Sequence, residues 1–262
     1  NARNATHNVE LNEGLSGATI FAFSQNDIWL THGSITFHCK DGTNFEDIRP
    51  GSSNFTWGVS SSDIFTVGNS GQIHHYDGDQ FTDMVSGTTK NLRAVWGTSH
   101  NDVWACGFNS SNAETILLHY DGVSWSEDPI SVSKGINATG GFNGVWAGDS
   151  AGHKFVTTSG AILIRKTDNS AWRSDSGLVP NSLGGGSWVG IAPRGNSAND
   201  LFVTGGWGFV AHWNGKTWKK YDKLYDYNNP NYGPGGFSVK GNIACVVGTK
   251  SGHSWVAIGR RK

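Results

Sequence analysis

Apolar and polar positions alternate along this chain in short runs, and nowhere do apolar residues recur at helical spacing for three turns. The runs fall into a repeated order. A first strand is predicted at Ile20–Phe23, Phe55–Val59 and Arg93–Gly97. A second begins behind a recurring acid, in Asp27-Ile-Trp, Asp63-Ile-Phe, Asp102-Val-Trp and Asp200-Leu-Phe. A third is apolar and alternating, as in Ile73–Tyr76 and Ile116–Tyr120. A tight polar turn follows, in which Asp-Gly or Asn-Gly predicts a primed hairpin with positive φ at both central residues. The fourth strand carries a closing aromatic: Phe45, Phe81, Trp125, Trp172 and Trp218, spaced by 36, 44, 47 and 46 residues.

Four strands recurring at that period are the signature of propeller blades. The predicted fold is all-β, a six-bladed β-propeller of four-stranded antiparallel blades in one domain. The blades span about 18–49, 54–86, 92–129, 142–176, 187–222 and 235–262, the last completed by 5–12. A ring must hide its free edges, so Val9 and Leu11 are expected on an N-terminal strand that closes blade 6. Blade 4 is the degenerate copy, with Gly152-His153 where others have Asn-Asp and Arg165-Lys166 where others have His-Tyr.

Composition agrees with a stack of sheets: glycine makes up 37 of 262 residues, with 12 Trp and 13 Phe, and charged residues are only 16%. The net charge is −1 and no basic cluster exceeds Arg260-Arg-Lys. Nucleic acid and insertion into a membrane are therefore not expected. The three cysteines, Cys39, Cys106 and Cys245, lie on different predicted blades, a pattern for buried small side chains rather than a metal cluster. A Cys39–Cys245 bridge between neighbouring blades 1 and 6 stays open as an alternative. Glycosylation-type sequons occur at Asn4, Asn54, Asn109 and Asn137, a number that chance supplies in a chain rich in Asn, Ser and Thr.

The segments VWGTSHNDVWACG…ILLHYDGVSW and VSSSDIFTVGNSGQIHHYDGDQF resemble the repeats of secreted bacterial β-propellers of the BNR/Asp-box-like and photosystem-assembly-factor-like group. The resemblance covers residues 18–220 clearly. It implies an Asp and an aromatic that stabilise the turn between third and fourth strands, and a secreted or cell-surface setting. The group includes glycosidases, lyases, lectins and assembly factors, so it implies fold more than function. Its sialidases need three clustered arginines, which the eight scattered Arg of this chain do not supply.

The repeated residues read as structural. Asp27, Asp63, Asp102 and Asp200 should bond N–H groups of the turn, and His38, His75, His119 and His212 should each make a hydrogen bond inside its own blade. Asp47, Asp83, Glu127, Asp128 and Asp175 should guard the outer edge strand.

Function is sought where the repeat is broken. The long departures, 108–114, 126–144, 174–187 and 219–236, all join blades or join second to third strands, so they should open on one face. There Tyr225, Tyr227 and Tyr232 lie among Asp226, Asn228 and other amides, with Trp207 and Trp188 from nearby connections. Flat rings beside amides and carboxylates suit a carbohydrate; they also suit a protein ligand, and a self-packed cover for the blade 5–6 seam is the plain structural alternative. Catalytic signatures are missing: no Gly-x-Ser-x-Gly, no His-Glu-x-x-His, no phosphate loop, and only five Glu. The expectation is a non-catalytic extracellular binding module without a cofactor, calcium at Asp222 and Asp226 being conceivable. A polysaccharide-processing glycosidase or lyase on the same face, and an assembly subunit, are the alternatives. The sequence leaves the oligomeric state open.

Overall fold

The computed structural model describes residues 19–32, 35–48, 51–109, 114–128, 130, 141–148, 153–158, 162–166, 171–174, 191–205, 209–221, 233–250 and 253–260. Among these residues twenty-three strands form six antiparallel sheets arranged in a ring, a six-bladed β-propeller. Blade 1 holds β1 (Thr19–Ser24), β2 (Asp27–His32), β3 (Ile35–Cys39) and β4 (Phe45–Ile48). Blade 2 holds β5 (Phe55–Ser60), β6 (Asp63–Val67), β7 (Ile73–Tyr76) and β8 (Phe81–Met84). Blade 3 holds β9 (Leu92–Ser99), β10 (Asp102–Phe108), β11 (Thr115–Tyr120) and β12 (Trp125–Glu127). Blade 4 holds β13 (Phe142–Ala147), β14 (Lys154–Thr158), β15 (Ile162–Arg165) and β16 (Arg173–Ser174). Blade 5 holds β17 (Ile191–Ser197), β18 (Asp200–Gly205), β19 (Phe209–Trp213) and β20 (Trp218–Lys220). In blade 6, β21 (Gly233–Lys240), β22 (Ile243–Lys250) and β23 (His253–Arg260) form a three-stranded sheet among the described residues. Val9 and Leu11, expected to complete it, lie outside them.

The first strands of successive blades pack side by side, and their side chains close on the axis. Trp96 of β9 meets Phe21 of β1 at 6.2 Å and lies beneath the guanidinium of Arg194 on β17, 4.1 Å away. The same guanidinium stands 5.0 Å from the Phe55 ring of β5. Four blades thus meet around one indole.

Blades adhere through a repeated aromatic contact. The second-strand ring of one blade meets the third-strand Tyr and closing aromatic of the next. Trp29 contacts Tyr76 at 5.3 Å and Phe81 at 6.3 Å, and Phe65 contacts Tyr120 at 5.8 Å and Trp125 at 6.4 Å. Flat sheets can stack this closely because large rings fill the gap between them. Cys39, Cys106 and Cys245 are all free thiols, so no Cys39–Cys245 bridge joins blades 1 and 6. Burial pushes the Cys106 thiol far up and the partly buried Cys245 thiol up as well.

Three expectations about the repeat need correction. The Asp-Gly and Asn-Gly turns are not primed: Ser70 is the one described non-glycine with positive φ, so only the glycine of each turn adopts it. A four-residue loop is held instead by its first side chain. Asp77 Oδ1 accepts from the N–H groups of Asp79 (2.9 Å) and Gln80 (3.0 Å), and Asp121, Asp41 and Asn214 repeat the pattern. At Gly122, φ is +95° and a Cβ would strike the Asn101 side chain of the adjoining hairpin, so glycine is required twice over. Secondly, the strand-opening acids serve histidines rather than turn N–H groups, as described below. Thirdly, register places Ile164 opposite Phe155, as His119 stands opposite Trp104. In blade 4 it is therefore Ile164 and Arg165, one residue earlier than expected, that occupy the His-Tyr positions.

Candidate functional site

Strand order divides the connections between two ends of the ring. The first-to-second and third-to-fourth hairpins share one end, called here the hairpin face. The second-to-third hairpins and the blade-to-blade connections share the other, the connection face.

On the hairpin face the repeated acid of each good copy meets the repeated histidine of the same blade. His Nε2 donates to Asp Oδ1 at 2.8 Å for His38 and Asp27, 2.7 Å for His75 and Asp63, 3.0 Å for His119 and Asp102, and 2.8 Å for His212 and Asp200. Each imidazole also packs on the second-strand ring, at 3.8 Å on Trp29, 4.6 Å on Phe65, 4.1 Å on Trp104 and 4.2 Å on Phe202. The histidine bond inside each blade is as expected, and its partner is the acid that was expected to hold a turn. Burial pushes the Asp102 carboxyl up. Hydrogen bonds from His119, Thr98 and the Trp104 indole, together with the charge of Lys154, outweigh it and hold the group well below the usual carboxylate range. The exposed carboxyls of Asp41, Asp77 and Asp121 are lowered too, chiefly by the backbone N–H groups of Asn44, Gln80 and Ser124. These groups stay ionised and are engaged in fixing turns and strands.

In blade 4 Ile164 takes the histidine's place, and Arg165, at the Tyr position, bonds across the seam instead. Arg165 donates to Asp128 of blade 3 at 2.6 Å and lies between the Trp104 and Trp172 rings, 4.9 Å from each. Asp128, expected to guard an edge, is therefore the half-buried anion of an inter-blade ion pair. Asp83 likewise bonds His74, at 2.7 Å.

The connection face carries a groove of about 710 Å³ between blades 2 and 3. Three connections build it: the β6–β7 hairpin through Ser70 and Gln72, the β8–β9 connection through Val85, Thr88 and Lys90, and the β10–β11 ends Asn109 and Glu114. Its floor is rigid. Ser70 N–H donates to Asn91 Oδ1 (2.9 Å), Leu92 N–H to the Gly68 carbonyl (2.9 Å) and Phe108 N–H to the Asn91 carbonyl (3.0 Å). The Asn54 amide donates to Leu92 O at 2.8 Å and to Asn69 Oδ1 at 3.0 Å, so this sequon asparagine is used in the seam. Gly71 has φ +73° and packs so closely on the Thr88 carbonyl that a Cβ has no room. Hydroxyls and amides line the opening, Lys90 stands 3.8 Å from Glu114, and Val85 is 89% exposed. A smaller, largely apolar cavity of about 160 Å³ lies at the blade 5–6 seam beside Phe202, Tyr221 and Phe237.

The predicted ligand residues Trp188, Trp207, Tyr225, Asp226, Tyr227, Asn228 and Tyr232 lie outside the described residues. The strand ends flanking them, Gly205 and Phe209 for Trp207, Tyr221 and Gly233 for the Tyr-rich segment, and Ile191 for Trp188, all belong to the connection face. Of the loops singled out in the sequence, 108–114 contributes its two ends to the groove. The β8–β9 connection was missed, because it is short beside the connections that follow blades 3, 4 and 5, and only the sheet order brings it beside Asn109.

Arg194, also missed, is only 8% exposed, and its one described hydrogen bond goes to the Pro193 carbonyl (2.7 Å). Burial lowers it to about 9. It packs on the Trp96 and Phe55 rings, where the first strands of blades 2, 3 and 5 meet.

No family model matches this chain, and no curated protein matches it. The fold matches solved structures across nearly its whole length. YCF48 bound to a D1 peptide aligns at 17% identity and TM-score 0.65, over 93% of this chain and 76% of that one. YCF48 from Cyanidioschyzon merolae aligns at 13% and 0.63, over 92% and 81%. The extracellular domain of BT4673, a putative hybrid two-component system from B. thetaiotaomicron, aligns at 9% and 0.67, over 97% of this chain and 32% of that one. At these identities the likeness is one of fold, that of a β-propeller.

Proposed function

We propose that this chain is a non-catalytic binding propeller that takes a carbohydrate on its connection face. The groove between blades 2 and 3 carries the reading. Its hydroxyl and amide lining, fixed by the Asn54, Asn69 and Asn91 network, offers the mixed donors and acceptors that sugar hydroxyls need. The Tyr- and Asn-rich segment, with Trp188 and Trp207, joins strand ends of the same face, and its residue types suit the stacking and hydrogen bonding that a pyranose takes. The extracellular setting of the BT4673 domain agrees with a secreted or cell-surface place for this one.

A second reading, a polypeptide ligand on the same face, is favoured by the D1 peptide on YCF48. One screen separates the two: the full chain applied in parallel to a glycan array and to a peptide array. Saturable capture by a family of related glycans is expected. Capture by peptides alone establishes the second reading, and capture by neither from a folded sample ends both.

A further inference from the structure

We propose that Asp63, His75 and His100 form a divalent transition-metal site, suited to Zn²⁺, at the seam between blades 2 and 3. Asp63 opens β6, His75 lies on β7, and His100 sits in the turn between β9 and β10 of the next blade. His75 Nε2 is 2.7 Å from Asp63 Oδ1, and His100 Nδ1 is 3.1 Å from both carboxylate oxygens. The three ligand atoms lie within 4.8 Å of one another. Tetrahedral Zn²⁺ with bonds of about 2.0–2.2 Å wants its ligands roughly 3.3 Å apart. The His–Asp contacts are near that spacing, and the two imidazole nitrogens, within 4.8 Å, would close by up to about 1.5 Å to admit an ion where hydrogen-bonding protons now hold the groups together.

Comparison within the ring separates this cluster from the structural pairs. In blade 3 the carboxylate of Asp102 is occupied by three donors, His119, the Thr98 hydroxyl (2.6 Å) and the Trp104 indole (2.7 Å). In blade 5 the second oxygen of Asp200 accepts from Asn196 (2.6 Å). Blade 2 has Phe65 in place of the tryptophan, so no indole N–H competes, and a second imidazole arrives from the neighbouring blade instead. Among the described residues no other Asp–His pair gains a third ligand. The Phe65 and Tyr120 rings lie within 6 Å of His100 and exclude water on one side. The His100 side chain is 44% exposed, which leaves the other side open for solvent to complete the coordination. Two imidazoles and one carboxylate with open positions are a ligand set for zinc or a similar ion, not for calcium. The ion would bridge two blades on the face opposite the groove.

The test is titration of the chelator-treated full chain with Co²⁺, followed by its visible absorption, and with Zn²⁺, followed by calorimetry. Wild type should bind one equivalent with micromolar or tighter affinity. His100→Ala, a change in a half-exposed turn that leaves the His75–Asp63 pair in place, should weaken it at least tenfold, as should Asp63→Asn. Zn²⁺ at a hundredfold excess over its dissociation constant should raise the melting temperature of wild type by roughly 5 °C and that of His100→Ala by no more than about half as much. Equal binding and equal thermal shifts in wild type and His100→Ala, or no binding by wild type, would overturn the site.

Discussion

The two faces of this propeller are built by different rules. On the hairpin face the same devices recur: a capped Asp-Gly or Asn-Gly turn in blades 1, 2, 3 and 5, and an Asp–His pair stacked on an aromatic in the same four. On the connection face no motif repeats, and the segments differ in length from blade to blade. Repetition marks what every blade needs in order to stack on its neighbours. A ligand is met once, so its residues need not repeat. His100 is instructive because it is a singular residue on the repetitive face, and it is where the metal inference arises.

The largest expected effects come from breaking the hairpin-face scaffold. Trp104 is 1% exposed and carries His119, Lys154 and Arg165 on its ring. Trp104→Ala should cost about 4 kcal/mol in urea unfolding, from lost burial and the cavity left behind. Arg165→Ala should cost about 2 kcal/mol, because it removes the guanidinium from the half-buried Asp128 carboxylate and from between the Trp104 and Trp172 rings. A loss below about 1 kcal/mol in either would mean that the seams tolerate voids and the repeated rings are not the scaffold.

Acid sharpens the same contrast. The folded Asp102 carboxyl titrates below its ordinary value of 3.8, so the unfolded chain binds the proton first. Its stabilising contribution is complete above about pH 5. It declines as pH falls through the unfolded value toward the lower folded one. Asp102→Asn should therefore show a smaller fall in stability between pH 5 and 2.5 than wild type, read from chemical unfolding at each pH.

A smaller effect, of opposite sign, is expected at the axis. Arg194 is buried with its charge facing rings instead of a carboxylate, so Arg194→Met should stabilise the chain by about 1 kcal/mol at neutral pH. The folded value near 9 lies below the ordinary 12.5, so the cost of burying the charge is complete below pH 9. It is relieved as pH climbs above that. The advantage of the methionine should accordingly shrink between pH 9 and 10.5. The smallest change belongs to Val123, 87% exposed in a capped turn: Val123→Thr should stay within about 0.5 kcal/mol of wild type.

The repeat made the fold legible, because closing aromatics at a blade-length period leave little choice of architecture. The histidine bond was legible for the same reason. Its acceptor was not, since nothing local shows that an acid opening β6 lies across the sheet from a histidine on β7, twelve residues on. Arg194 was hidden more deeply. In Ala-Pro-Arg-Gly it looks like a surface residue, and only closure of the ring turns β17 toward Trp96. Of the connection face, the sequence marked the 108–114 loop by its irregular length, whereas the β8–β9 half of the groove became visible only once the blades were assembled.

The assignment of binding to the connection face is tested most directly by comparing glycan-array capture of wild type with one charge change on each face. Lys90→Glu alters the groove, and Asp79→Lys alters the β7–β8 turn. Both positions lie at the surface of blade 2 or its connection to blade 3, so the folds should be matched. Capture lost in Lys90→Glu and kept in Asp79→Lys is the predicted result. Capture kept in Lys90→Glu and lost in Asp79→Lys would place the ligand on the hairpin face and contradict the division of labour drawn between the two.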